Sequence, residues 1–294
     1  MTDRQQPPVA DSGFGVALDV HGADAPAAST GGDRSRAPGG PLSRPWVRVA
    51  LGAIIPVALV AVWFLVTRPP DPLVPPYQFA SPQAVLQSAV DLWNRGELGP
   101  FIAISVQRAL LGFLSGASLG LALGGLVGLS RLWEALVGPM LGIIRAVPSL
   151  AWVPLLIVWF QIGEQSKVIL VAIGAFFPVF TTVSLALAHV DHNLVEAARA
   201  FGKKRLGLFV SVQLPAVLPS VFAGLRLALV QAWLFLVAAE LLGASMGLGF
   251  LLSRGQSNGR VDQILLAIIL LAVIGKLLDS LLALVQRWAT RRWS

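Results

Sequence analysis

One serine in this chain lies in a sequence string that is typical of hydrolase nucleophiles. Gly243-Ala244-Ser245-Met246-Gly247 matches Gly-x-Ser-x-Gly, in which the serine stands on a strand-to-helix turn with a histidine within hydrogen-bond reach. Here the string follows a long apolar segment. His189 and His192 precede that segment, about a bilayer thickness away, and His21 lies near the start of the chain. We therefore expect no serine catalysis.

The sequence gives equally little support for a metal site or a nucleotide-binding site. His189, Asp191 and His192 could ligate a metal, but they form one short group with no second cluster, and the chain has no cysteine. No Gly-x4-Gly-Lys-Ser/Thr string occurs, so we expect no binding of ATP phosphates by this chain. The sequence predicts no metal, no cofactor and no catalytic residue.

Several ionisable residues interrupt the apolar segments. An arginine at mid-membrane costs about 2.5–3.5 kcal/mol on insertion scales, so such residues face protein or water. One interpretation places them on a path for an anionic solute. In the other, Arg145 and Lys276 snorkel or form pairs, and Glu240 lies near the outer interface. The candidates for the path are Arg226, Arg145, Arg108 and Glu240.

A polar, cationic island at residues 196–219 separates two long apolar runs. Asn193 and Glu196 match a capping box and predict a helix from about Leu194. Leu194, Ala198 and Phe201 should share one face of that helix. Gly202 stands where the helix should end, because glycine enters the left-handed conformation cheaply. We predict that a second helical stretch, 206–212, follows, and that Leu214-Pro215 ends it before the next apolar run.

The composition identifies lipid as the main solvent of the chain. Of its 294 residues 55% are hydrophobic and 13% are charged, with a mean hydropathy of +0.74. A soluble domain has about 25% charged residues. A membrane helix needs about 20 apolar residues. Six segments qualify, and they predict an all-α integral membrane protein with spans near 47–66, 102–129, 138–160, 168–188, 217–242 and 262–285.

The segments outside the spans differ in composition. Residues 1–46 are rich in Pro, Gly, Ala and Ser and predict a disordered tail. Residues 67–100 predict an outer loop in which Ser81 caps a short amphipathic helix and Pro82 is its first residue. Residues 286–294 form a second tail.

Six spans place both termini on one side of the membrane. With the N-terminus inside, thirteen Lys and Arg fall on the inner side and five on the outer side, which fits the positive-inside rule. The net charge of +7 is then explained by topology and contact with lipid, not by nucleic acid. The outer five are Arg68, Arg95, Lys167, Arg254 and Arg260.

Two further patterns concern helix packing. Glycines recur at every fourth position of the second span and form a stripe that another helix can approach closely, either within the chain or at a subunit interface. Prolines in the third and fourth spans should break those helices locally. The glycines are Gly112, Gly116, Gly120, Gly124 and Gly128, and the prolines are Pro139, Pro148, Pro154 and Pro178.

The polar island carries a specific register. Glu196-Ala197-Ala198 is followed after three residues by Gly202, and after nine more by Val212-x-Leu214-Pro215. This resembles the EAA loop of ABC importer permeases, with Val212 in the place of the usual isoleucine. Strings at 148–155, 159–167, 174–178 and 238–249 are similar to those of the nitrate/sulfonate/taurine branch.

The resemblance implies a type I importer transmembrane domain over 101–285, in a bacterial inner membrane, as a homodimer. Its partners would be cytoplasmic ATP-binding subunits and an extracytoplasmic solute-binding protein. Loop 191–216 would couple to the ATPase through Glu196, Ala197, Ala198, Gly202, Leu214 and Pro215, with Phe201 as the buried anchor. Aliphatic sulfonate or taurine is the first expected substrate, and nitrate, bicarbonate or a pyrimidine precursor stay open.

A secondary transporter is the main rival from another class. It would need coupling carboxylates at mid-membrane. The acids within the spans, Glu240 and Asp279, lie near span ends in the sequence.

Overall fold

Helices account for the regular structure throughout residues 45–68, 72–161 and 163–291, which a computed structural model describes. The predicted tail at 1–46 lies almost wholly outside these ranges. Two units, 1–55 and 56–294, divide the chain. The helices are α1 (Pro45–Val66), α2 (Pro82–Asn94), α3 (Leu98–Leu129), α4 (Arg131–Ala146), α5 (Val153–Phe160), α6 (Glu164–Ala188), α7 (His192–Ala200), α8 (Arg205–Leu208), α9 (Leu214–Gly243), α10 (Leu248–Ser257) and α11 (Val261–Arg291).

Four of the predicted spans coincide with helices that are long and apolar enough to cross a membrane. These helices are α3, α6, α9 together with the five residues before it, and α11. The first predicted span coincides with α1. The third is a pair of helices, α4 and α5, whose axes differ by 81°. The part of the chain that the structure describes thus presents four long spans, or five if the bent pair is one.

Proline explains the break in the third span. Val147 adopts an extended backbone (ψ 124°) directly before Pro148, and a short 3₁₀ helix, Ser149–Trp152, follows. The pyrrolidine ring disfavours helical backbone in the preceding residue. The predicted break is therefore confirmed there. It is wrong at Pro139 and Pro178, which lie inside α4 and α6.

The glycine stripe brings α3 and α6 into close contact. A Cβ atom on Gly120 would lie 2.9 Å from the carbonyl oxygen of Phe176, and one on Gly124 would lie 2.9 Å from that of Phe180. Gly116 would meet the carbonyl of Ala172 in the same way. The stripe thus serves packing within the chain, the first of the two interpretations.

The buried core lies between α3, α6 and α9. Many of its members are small or β-branched, including Ala109, Val171, Ala175, Ala228 and Ala232, each fully buried. Small side chains let neighbouring helices approach closely, as is common in membrane proteins. These three helices form the frame on which the charged residues described below are placed.

A second core holds the two short helices, α2 and α10, against α11 and the start of α3. Ser81 accepts a hydrogen bond from the backbone N–H of Ala84 (3.3 Å) and Pro82 begins α2, as predicted. Helix α10 was not predicted. Its Leu248 and Leu251 are fully buried in this core.

Candidate functional site

The polar loop after α6 begins with a capped helix, but the cap is not the predicted residue. Asp191 caps α7, and its side chain accepts a hydrogen bond from the backbone N–H of Asn193 (2.9 Å). The capping box of Asn193 with Glu196 is therefore wrong. Glu196 instead contacts His192 one turn earlier, with 2.8 Å between Nε2 and the carboxylate. Both residue types suit an N-cap, and the sequence alone did not separate them.

The glycine prediction is confirmed, whereas the proline prediction is wrong. Gly202 has φ +77°, in the left-handed region, and ends the turn after α7. Pro215, in contrast, does not stop a helix. It lies in the first turn of α9, where its missing N–H removes no necessary bond. Helix α8 and a π-helical stretch, Phe209–Gln213, lead directly into α9.

The loop folds around a small apolar cluster of its own. Val195, Ala198 and Leu208 are buried in it. Leu194 and Ala198 lie one turn apart in α7, as predicted, whereas Phe201 follows its last residue and does not extend that face. Leu194 and Phe201 are 51% and 88% exposed. Glu196 and Ala197 are exposed as well. The loop therefore presents an exposed phenylalanine next to a small buried cluster.

A second group of functional interest lies where the first turns of α3 and α6 meet the end of α9. Arg108 is 3% exposed and Glu240 is 1% exposed. The Nη1 atom of Arg108 lies 2.8 Å from the Glu240 carboxylate. Ser105 donates to the same carboxylate at 2.8 and 2.9 Å, and the backbone N–H of Gly249 does so at 2.8 Å. Glu240 is thus fully hydrogen-bonded inside the protein.

Two residues that the sequence did not single out for this site complete the network. Glu164 accepts two hydrogen bonds of 2.6 Å from Nε and Nη2 of Arg108. Lys167, one turn further along α6 and 5% exposed, donates to Glu164 at 3.1 Å. Glu and Lys three residues apart at a helix start would have indicated a local pair. The connection to Arg108 depends on tertiary structure.

The network also fixes the turn between α9 and α10. Arg108 donates to the carbonyl of Met246 (2.6 Å), and the backbone N–H of Leu248 donates to Ser105 (2.8 Å). Gly247 has φ +120° and lies against the Glu240 carboxylate, so a side chain there would clash and be strained. The string around Ser245 therefore forms a helix-to-helix turn, not the strand-to-helix turn of a hydrolase.

The other two candidates of the path lie apart from this network. Arg226 forms a two-point pair with Asp279 of α11 (3.0 and 3.0 Å), which Lys276 joins at 3.4 Å. Arg145 contacts the hydroxyl of Thr181 (3.3 Å) beside a cavity of about 310 Å³ between α3, α4 and α6. The structure therefore groups Arg108 with Glu240, and leaves Arg145 and Arg226 at separate places.

Comparison with known proteins assigns the chain to a family. Residues 116–293 match the family described as binding-protein-dependent transport system inner membrane component. This chain belongs to that family. The match runs from within α3 to the end of α11 and includes the polar loop, and it makes the chain a permease subunit of an ABC importer.

Relatives place the permease in the nitrate/sulfonate/taurine branch. Two proteins named SsuC after aliphatic sulfonate transport are 39% identical to it. The one from Bacillus subtilis (strain 168) matches over 236 residues, 80% of this chain and 85% of the relative. The one from Escherichia coli (strain K12) matches over 257 residues, 85% and 94%. The taurine transport permease TauC of Escherichia coli is 32% identical, with 85% and 91% covered.

A solved structure shares the fold. An inward-facing MetNI methionine ABC transporter aligns with a TM-score of 0.54 at 21% identity, over 65% of this chain and 93% of that chain. The permease is thus a multi-pass inner-membrane component without catalytic activity of its own. ATP hydrolysis lies in partner subunits, and the family works with a solute-binding protein.

Proposed function

We propose that the permease, as a homodimer, forms the translocation path for a small oxyanion in an ATP-driven importer. Aliphatic sulfonate or taurine is the first substrate, ahead of nitrate, bicarbonate or a pyrimidine precursor. The observation that carries this order is the 39% identity to two SsuC proteins over most of both chains. In this proposal six spans cross the membrane with both termini in the cytoplasm, and the first is α1.

Uptake into vesicles tests the substrate and the energy source together. We expect the permease, assembled with its ATP-binding subunits and solute-binding protein, to accumulate labelled taurine or an alkanesulfonate only with ATP, and vanadate to stop it. ATP-dependent uptake of nitrate in place of sulfonates would refute the proposed substrate and support the ATP-driven mechanism. Uptake driven by a proton gradient without ATP would contradict the proposal.

The coupling role of loop 191–216 rests on the exposure of Phe201. An aromatic side chain that is 88% exposed on a structured, cationic loop offers apolar area that a partner subunit can cover. Buried aromatic anchors dominate many protein interfaces. In our proposal an ATP-binding subunit covers Phe201. The rest of the motif holds the loop in the shape that this subunit binds, through Glu196, Ala197, Ala198, Gly202, Leu214 and Pro215.

Phe201→Asp should therefore separate the subunits without unfolding the permease. Loss of a central aromatic anchor costs about 2 kcal/mol or more, so we expect retention of the ATP-binding subunits in co-purification to fall at least about tenfold. The thermal unfolding midpoint of the permease alone should hardly change, because the side chain makes few internal contacts.

Tyr77→Asp is the matched control. Tyr77 is 72% exposed in the connection between α1 and α2, which the proposed topology places outside the cell. This variant should retain the ATP-binding subunits as the wild type does. Equal loss of the ATP-binding subunits from both variants, or full retention of these subunits by Phe201→Asp, would contradict docking at the loop.

A further inference from the structure

Two buried cations of the network share one exposed carboxylate. The side chains of Arg108 and Lys167 are 4% and 6% exposed, whereas that of Glu164 is 63% exposed. Glu164 offers both its oxygens to the fork of Nε and Nη2 on Arg108, and one of them also to Nζ of Lys167 (3.1 Å). Within the ranges that the structure describes, no other acceptor contacts Lys167. Both cations thus share the one partner that solvent can reach, and Lys167 has no other within these ranges.

The other carboxylate of the network is fixed. Glu240 accepts hydrogen bonds from Ser105 and from the backbone of Gly249 as well as from Arg108. It could not leave without stranding several buried donors. If Glu164 alone moved away, two positive charges would face one negative charge at a buried place. Since an uncompensated buried charge is strongly unfavourable, another anion would have to take the place of Glu164.

The geometry that Glu164 satisfies is also the one that an oxyanion satisfies. A guanidinium presents parallel N–H donors that match two oxygens of a carboxylate, a phosphate or a similar planar or tetrahedral group. The cavity beside Lys167 and Ser166 measures only about 20 Å³, which is room for about one water molecule. A solute anion therefore needs the space that the Glu164 carboxylate fills. Because the Glu164 side chain is exposed, it can turn towards solvent and free that space.

We propose that Arg108 and Lys167 form an oxyanion site that Glu164 fills with its own carboxylate until a solute anion displaces it. The site would take sulfonates and similar oxyanions at the mouth formed by α3, α6 and α9. This deepens the proposed function, on which its transport role rests, by naming the residues that meet the anion. The binding itself can be measured apart from transport.

Glu164→Gln provides the test in the full-length protein, purified in a neutral detergent. The amide keeps the size of the side chain but no longer competes as an anion. Titration with methanesulfonate should raise the thermal unfolding midpoint of E164Q in a saturable way, with a dissociation constant about tenfold lower than in the wild type. Dimethyl sulfone, a neutral molecule of similar shape, should have no effect. The wild type gives a second measurement, saturable stabilisation at higher concentration, that does not depend on a variant.

Glu97→Gln is the matched control. It releases Arg254 from a carboxylate at 2.9 Å, but that arginine lies over the rings of Phe101 and Phe250 instead of beside a second cation. E97Q should respond to methanesulfonate as the wild type does. An equal response of E97Q and E164Q, or none in E164Q, would overturn the proposal.

Three further outcomes distinguish a solute site from a lipid site, and failure of the site from failure of the proposed substrate. A tighter response to short-chain phosphatidylglycerol than to methanesulfonate would overturn the solute role and assign the site to a lipid headgroup. Anion binding by E164Q without sulfonate uptake by the assembled wild type would leave the site in place and refute the substrate. Sulfonate uptake without anion binding would refute the site alone.

Discussion

Arg108→Met should lower the free energy of unfolding of the permease by about 3–5 kcal/mol, the range for removing one partner of a buried ion pair. Methionine keeps most of the apolar stem of arginine and carries no charge, so the main loss is electrostatic. Glu240 would keep its bonds to Ser105 and Gly249 but would hold an uncompensated charge while 1% exposed. Glu164 would still contact Lys167. Thermal or chaotrope-induced unfolding in detergent measures the change.

The double variant Arg108→Met with Glu240→Gln distinguishes this cause from lost packing. It removes both charges of the buried pair while the amide oxygen still accepts hydrogen bonds from Ser105 and Gly249, so we expect it to be more stable than Arg108→Met alone. Arg260→Met is the control at an exposed pair, since the side chain of Arg260 is 49% exposed beside Asp262. Exposed pairs contribute about 1 kcal/mol or less. A change as small as this for Arg108→Met would contradict a stabilising network.

The sequence predicted features whose causes are local. Ser81 and Pro82 form a helix start within four residues, and the structure has it. Glycine is favoured where the chain turns sharply after a helix, and the left-handed backbone predicted for Gly202 is confirmed. The stripe at every fourth position of α3 depends on helix geometry alone. Four apolar spans follow from the length that lipid imposes.

The features that were missed depend on contacts far apart in the chain. Arg108 and Glu240 were both candidates, but a pair separated by 132 residues leaves no spacing signal. Helix α10 is short, and what holds its start is the bond from Gly249 to Glu240 and the bond from Leu248 to Ser105. Asp191 and Asn193 were equally suitable caps. Pro215 ends no helix, because a proline in the first turn of the helix that follows is favourable.

The glycine stripe yields the second large effect. Gly116→Leu should prevent stable packing of α3 on α6, because even its Cβ would meet the backbone carbonyl of Ala172, which no rotamer change can move. Gly116→Ala should already destabilise the permease by about 1–3 kcal/mol, as overpacking of a tight core does. We expect the leucine variant to be nearly absent from the membrane fraction and the alanine variant to unfold at lower temperature.

Gly125, on the same helix, is the matched control. Nothing lies within 4 Å of a Cβ atom built there, so Gly125→Ala should stabilise α3 slightly, by up to about 1 kcal/mol, through the better helix propensity of alanine. Changes in stability of opposite sign for Gly116→Ala and Gly125→Ala would show that the stripe provides close approach to α6 and not glycine flexibility. Destabilisation of equal size at both positions would contradict this. The approach also bears on the proposed oxyanion site, because Arg108 of α3 reaches Glu164 of α6 only while these helices stay in contact.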